Sequence, residues 1–285
     1  MLPAERVLLL GFNRSPPYTG GEKGGLAPSE RNRCLSKTTI PLLILILLIS
    51  LILSPRFNES LDIPNIHIIS TLTMKLFLDT AVIDEVKKRF DTGLIAGVTT
   101  NPTLIKRSGN KPIDIYTELY DMGIPDISME VVEDTADGMY YSGMILAERF
   151  PAASTIKLPC SVEGLKACTL FNKQKVRTNV TLIFDASQAI LASLAGASYI
   201  SPFVGRMDDN SLDGLNLIKD IASLDLSDTK ILAASIRDPQ SVGKAFNNGA
   251  HICTLPPLVF DKMYKHVLTD AGIAQFNKDH AETSS

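Results

Sequence analysis

Lys157 stands in the run Ser154-Thr155-Ile156-Lys157-Leu158-Pro159, with no acidic residue within five positions on either side. An ammonium group is strongly hydrated, so a lysine in a short apolar run either snorkels out to water or is deliberately enclosed. Enclosure lowers a lysine's pKa, and the neutral amine is a nucleophile. Other residues able to do chemistry close neighbouring β-type runs. Asp79 and Glu130 are carboxylates that could move protons, and Thr181 and Ser201 are hydroxyls that could hold a water or a substrate oxygen. Asn101 and Asn179 offer amides, Phe203 stands two residues after Ser201, and Arg206, Ser235 and Arg237 together suit a phosphate dianion through forked donors.

These residues need elements to position them. Short β-type runs occur at Leu76–Asp79, Ala96–Thr100, Ile127–Val132, Thr155–Leu158, Thr178–Ile183, Tyr199–Val204, Ile231–Ile236 and His251–Leu255, which makes eight. Stretches with helical spacing lie between them, among them Val82–Phe90 with Thr80 as its expected cap, Ile113–Met122 after Pro112, and Leu212–Leu224. Gly93, Gly123, Gly196 and Gly249 stand near helix ends, where a left-handed residue is expected. Strands alternating with helices predict an α/β fold, specifically a single-domain (β/α)8 TIM barrel over residues 74–285, near the ~200-residue lower limit for that fold. An open doubly wound sheet is the alternative, but no GxGxxG follows the first strand and no GxxxxGK[ST] occurs.

In such a barrel the active site lies at the C-terminal strand ends, and side chains at i and i+2 share a face. Asn179 with Thr181, Ser201 with Phe203, and Ser235 with Arg237 therefore point together. Taken singly, each polar residue has a structural explanation: Asp79 or Asn101 as a cap or turn former, the arginines as surface charge. Gathered at one end of seven strands, they describe a site, because a barrel end built for stability would be apolar.

Composition excludes several other classes. Charged residues make up 21% and the net charge is −3, which gives no footprint for nucleic acid. Cys34, Cys160, Cys168 and Cys253 form no CxxC pair, and His67, His251, His266 and His280 have no ligand spacing. No metal is expected, and scattered thiols suit a reducing cytoplasm. Residues 1–73 differ in character from the rest. They carry an apolar run, Ile40–Leu53, which is shorter than the ~17–25 residues of a membrane helix. A membrane anchor, a signal sequence and translated upstream sequence from a misplaced start all compete here. The last is favoured, because Met74 opens directly onto a strand.

The motifs Asp79-Thr80, Gly97-Val-Thr-Thr-Asn-Pro102, Ile156-Lys157-Leu-Pro159, Asn179-Val-Thr-Leu182, Ser201-Pro-Phe-Val-Gly-Arg206 and Ala234-Ser-Ile-Arg237 together resemble the transaldolases. The likeness is to their short subfamily, which includes the fructose-6-phosphate aldolases. It runs from Met74 to about Lys278, and residues 1–73 match nothing in the family.

The resemblance implies a class I mechanism without metal or cofactor, acting on small sugar phosphates. Lys157 is similar to the Schiff-base lysine. Glu130, with a water held by Thr181, is similar to the acid/base pair for carbinolamine dehydration, and Glu130 is expected to act through that water rather than by direct pairing. Asp79 is similar to the base that takes the donor hydroxyl proton. Asn101, Asn179 and Ser201 match positions that bind the dihydroxyacetone part, and Arg206, Ser235 and Arg237 match the phosphate clamp. Glu130, Phe203 and Arg237 are of the transaldolase type, where the aldolases carry glutamine, tyrosine and lysine. The resemblance further implies a homo-oligomer, often a decamer, with the C-terminal helix at subunit contacts. A non-catalytic, membrane-tethered sugar-phosphate binder is the remote alternative.

Overall fold

The computed structural model describes residues 74–226 and 228–284. The extension 1–73, with its apolar run 40–53, lies outside the described residues. Eight parallel strands close into a barrel in sequential order. They are β1 (Lys75–Asp79), β2 (Ile95–Thr99), β3 (Ile127–Glu130), β4 (Ser154–Pro159), β5 (Thr178–Ile183), β6 (Tyr199–Pro202), β7 (Lys230–Ala233) and β8 (Ile252–Leu255). The helices are α1 (Ile83–Phe90), α2 (Pro102–Ser108), α3 (Pro112–Asp121), α4 (Ala136–Arg149), α5 (Val162–Lys173), α6 (Ala186–Leu194), α7 (Val204–Asp208), α8 (Gly214–Ala222), α9 (Pro239–Asn247), α10 (Pro257–Met263) and α11 (Val267–Thr283). The predicted (β/α)8 architecture is therefore the observed one.

The local sequence explains most boundaries. Strands covered on both faces read as continuous apolar runs, and Leu78, Val98, Ile127, Ile156, Val180, Ile200, Leu232 and Leu255 are all fully buried. Thr135, Ser161, Asp185, Asp213 and Asp238 cap α4, α5, α6, α8 and α9 by accepting a backbone N–H. The expected cap Thr80 behaves differently. α1 starts after Val82, which makes no side-chain cap bond, and the Thr80 hydroxyl accepts the Val82 N–H in a local turn. Two short helices were not predicted, α2 and α7. Asn101 caps α2 through Leu104 N–H and Pro102 occupies its first turn. α7 takes over where β6 was expected to run on to Val204, and β7 ends before Ser235, whose φ is 61°.

Two polar clusters brace the barrel away from its mouth. Arg89 on α1 is buried and grips Asp261 of α10 with two bonds of 2.9 and 2.5 Å, while also pairing with Glu85 at 2.6 Å. This joins the first helix to the tenth across the closing seam. At the N-terminal end of β3, buried Asp126 accepts from Thr155 (2.8 Å), Arg177 (2.9 Å) and Tyr199 (2.7 Å). Burial pushes the Asp126 carboxyl above its ordinary value, while Arg177 and the two hydroxyls pull it back.

Inside the barrel, Phe77, Tyr199, Leu232, Ala234 and Ile252 form a separate apolar cluster, with the Phe77 and Tyr199 rings edge to face at 6.4 Å. Gly97 makes room for it. A Cβ there would stand 2.6 Å from Phe77 Cζ and 2.7 Å from the Asp126 carbonyl oxygen. Gly97→Ala should therefore cost about 1–3 kcal/mol by overpacking. Urea denaturation checks this: a lower midpoint at unchanged slope is expected, and an unmoved midpoint would contradict the packing argument.

Candidate active site

The C-terminal strand ends surround a cleft of about 550 Å³, lined by Asp79, Asn101, Glu130, Lys157, Thr181, Phe203, Arg206, Ser235 and Arg237. An adjoining recess of about 110 Å³ adds Ser201, Thr99 and Thr254. Of the residues singled out in the sequence, only Asn179 lines neither space. It is fully buried on β5, where its Oδ1 accepts from Ser201 Oγ at 2.7 Å and its Nδ2 donates to Ser128 Oγ at 3.2 Å. A second cleft of about 510 Å³ lies beside α6 and the loop before β7, remote from these groups. Among the described residues, no cluster of three or more His, Cys, Asp and Glu side chains could hold a metal ion.

Lys157 is 5% exposed, and its ammonium donates to Glu130 Oε2 at 2.8 Å and to the Thr100 carbonyl at 3.0 Å. The expectation that Glu130 would not pair directly with Lys157 is corrected here, because the two side chains are in contact. Strand register explains it. Glu130 of β3 sits opposite Lys157 of β4, at the same height and facing inward, so the nearest acceptor for a dehydrated ammonium is that carboxylate.

On the other side of Lys157, β5 is irregular. Its register with β6 shifts between Val180 and Ile183, and Leu182 takes a φ of 61°. Such bulges re-aim side chains near active sites. The result is that Thr181 Oγ1 is, among the described residues, the one buried side-chain oxygen or nitrogen without a hydrogen-bond partner. An unpartnered hydroxyl in a polar recess is where a water or a substrate oxygen can bind.

Asp79 ends β1 and accepts from Thr99 Oγ1 at 2.8 Å. Enclosure pushes its carboxyl above the ordinary value. The Lys157 charge and the Thr99 hydroxyl pull it back only partway, and Glu130 adds to the rise. A carboxylate raised in this way is a better base.

The cationic wall comes from β6–α7 and from the segment after β7. The Arg206 guanidinium lies 4.7 Å from the Phe203 ring centroid and 6.0 Å from that of Phe184. Arg237 makes a forked pair with Asp209, at 2.6 and 3.2 Å. Gly205 permits this close approach, since a Cβ would stand 2.2 Å from the Ser235 carbonyl oxygen and 2.8 Å from Arg237 Cγ. Asn101 spends its side-chain oxygen on Leu104 N–H while lining the cleft, so it is both a helix cap and a site residue.

Among the cleft and recess residues that escaped the sequence reading are Thr254, which carries no charge and sits within a strand, and Arg107, which reaches the cleft from α2, a helix that was not predicted. The alternation of β8 would have placed Thr254 inward with Ile252, which was the available signal.

The raised Asp79 pKa has a sign that can be tested. As pH climbs past the ordinary carboxylate value, the unfolded chain loses this proton before the folded one does, so stability falls until the folded pKa is passed. Asp79→Asn should therefore be more stable than the parent at pH 7, with the gap closing below about pH 3.5. Paired denaturation curves at the two pH values check it, and a gap independent of pH would contradict the assignment.

Comparison with known proteins adds a further finding. A sequence model of the transaldolase/fructose-6-phosphate aldolase family matches residues 76–285. A probable transaldolase of Thermoanaerobacter sp. (strain X514) is 47% identical over 210 residues, covering 72% of this chain and 96% of that protein. Probable transaldolases of Caulobacter vibrioides (strain NA1000 / CB15N) and Halalkalibacterium halodurans are 46% and 48% identical, covering 74% and 72% of this chain and 98% of each relative. With the barrel, the enclosed lysine and these matches in place, the chain belongs to the transaldolase/fructose-6-phosphate aldolase family of enzymes.

Proposed function

We propose that this enzyme is a transaldolase that carries a dihydroxyacetone unit as a Schiff base on Lys157. The observation that carries the proposal is the enclosed Lys157, paired with a carboxylate at 2.8 Å, in a cleft that the unpartnered hydroxyl of Thr181 also lines. Glu130 takes a proton from the ammonium, the freed amine attacks the ketone carbon of a ketose phosphate, and a proton passes from the attached nitrogen to the alkoxide to give the carbinolamine. Glu130 then returns that proton, through a water on Thr181, to the carbinolamine hydroxyl, which leaves as water. The iminium that remains is an electron sink. Asp79 takes the proton of the donor's C4 hydroxyl as the C3–C4 bond breaks, and the bonding electrons pass to the iminium nitrogen to give an enamine. An aldose phosphate departs. The enamine adds to the aldehyde of a second aldose phosphate, Asp79 returns its proton to the new alkoxide, and hydrolysis frees Lys157.

The other groups hold the substrate. Asn101 and Ser201 bind the dihydroxyacetone hydroxyls, with Asn179 fixing Ser201 from beneath, and Arg206, Ser235 and Arg237 clamp the phosphate. The substrates are sedoheptulose 7-phosphate or fructose 6-phosphate as donor and glyceraldehyde 3-phosphate or erythrose 4-phosphate as acceptor, in the non-oxidative pentose phosphate pathway. The scheme uses no metal or cofactor.

Free Cys160, Cys168 and Cys253 suit a cytoplasmic setting. α11 leaves Val267, Leu268 and Phe276 exposed, which supports a homo-oligomer, up to a decamer, in which another copy covers them. Among the described residues, no helix is long and apolar enough to cross a membrane.

Phe203 carries the distinction between transfer and release. It stacks on Arg206 and has no hydroxyl to protonate the enamine, so the carbanion waits for an aldehyde. Incubated with fructose 6-phosphate alone, the enzyme should release little dihydroxyacetone. With erythrose 4-phosphate added, it should form sedoheptulose 7-phosphate and glyceraldehyde 3-phosphate. Free dihydroxyacetone appearing equally fast without acceptor would make the enzyme an aldolase instead.

A further inference from the structure

Behind Asp79 lie two threonine hydroxyls that the mechanism above leaves unused. Thr99 Oγ1 stands 2.8 Å from Asp79 Oδ1 and 2.6 Å from Thr254 Oγ1. The two threonines come from β2 and β8, the strands that flank β1, and both are almost wholly buried. Each hydroxyl has one hydrogen, and that fixes the direction of the chain. An ionised carboxylate can only accept, so the Thr99 hydrogen points to Asp79. Thr99 then has none left for Thr254, so Thr254 must donate to Thr99.

We propose that Thr254 is a positioning residue for proton transfer, holding the Thr99 hydroxyl so that its hydrogen stays on the ionised carboxylate of Asp79. The proposal rests on Asp79 being the proton acceptor of the reaction. A hydroxyl that accepts a hydrogen bond becomes a stronger donor, so the Thr254 bond reinforces the one from Thr99 to Asp79. The charged groups acting on Asp79 are Lys157 from β4 and Glu130 from β3, which oppose each other, and Arg206 lines the same recess from α7. The threonine pair is neutral. It favours the ionised carboxylate without altering the charge balance that Lys157 needs. With enclosure pushing the Asp79 proton affinity up, this chain helps keep the base available at neutral pH.

Thr254→Val keeps the side-chain shape and removes the donor. We expect kcat for transfer from fructose 6-phosphate to erythrose 4-phosphate to fall about five- to tenfold, the size of one lost hydrogen bond. KM should change less than about twofold, because Thr254 acts through Thr99 and Asp79 on the proton transfer. The acid limb of the kcat profile should move up by roughly half to one pH unit. Thr254→Ser, which keeps the donor, should restore both the rate and the limb. If Thr254 only fills space, the Val variant will match the parent.

A second readout does not depend on turnover. In protein labelled at the aspartate carboxyl carbons, with the Asp79 signal assigned through Asp79→Asn, the Asp79 titration should move up in Thr254→Val and return in Thr254→Ser. An unmoved titration overturns the proposal whatever the enzyme's activity. A moved titration in a protein that transfers no dihydroxyacetone would uphold the hydroxyl chain and sink the functional proposal instead. If the Val variant fails to fold, Thr254→Ala removes the same donor and carries the same expectations.

Discussion

A lysine enclosed at the mouth of a barrel has to be balanced, and the Lys157–Glu130 pair is the constraint that the surrounding structure satisfies. Stripping water from an ammonium and a carboxylate costs several kcal/mol for each ion. The 2.8 Å contact offsets part of that cost, and the Thr100 carbonyl takes a second ammonium hydrogen. Both partners depend on strand register. β3 and β4 must align Glu130 with Lys157, and β2 must end so that the Thr100 carbonyl reaches the ammonium. A slip of one residue in β3 would turn Glu130 away from the barrel and leave a buried cation alone.

The two ends of the barrel divide the work of stability and chemistry. Phe77, Tyr199, Leu232 and Ile252 fill the interior with rings and branched side chains, and Asp126 is fully satisfied by its three donors. At the mouth the rules are broken locally. Leu182 and Ser235 take left-handed backbone angles, Thr181 has an unmet hydroxyl, and the Asp79 carboxyl is held above its ordinary value. Each of these features costs stability, and each aims a polar group at the cleft.

Much of this was legible in the sequence. The eight strands could be read because each is a short β-type run, largely apolar, set between stretches with helical spacing, the pattern of a sheet covered on both faces. Lys157 stood out because charge is so unusual in such a run. The helices α2 and α7 escaped because seven and five residues are too few to show a period. The direct Lys157–Glu130 contact and the retreat of Asn179 beneath Ser201 are matters of register and of the β5 bulge, which depend on contacts between strands distant in sequence. Thr254 was missed for a related reason. A threonine within a strand is ordinary, and only barrel closure brings β8 beside β1.

The account stands or falls on covalent chemistry at Lys157. The direct measurement is reduction with borohydride in the presence of fructose 6-phosphate, followed by mass mapping of the peptides. The account predicts a stable three-carbon adduct on the peptide that contains Lys157, and none in Lys157→Ala. An adduct on another lysine, or no adduct in protein that still turns over the sugar phosphate, would contradict it.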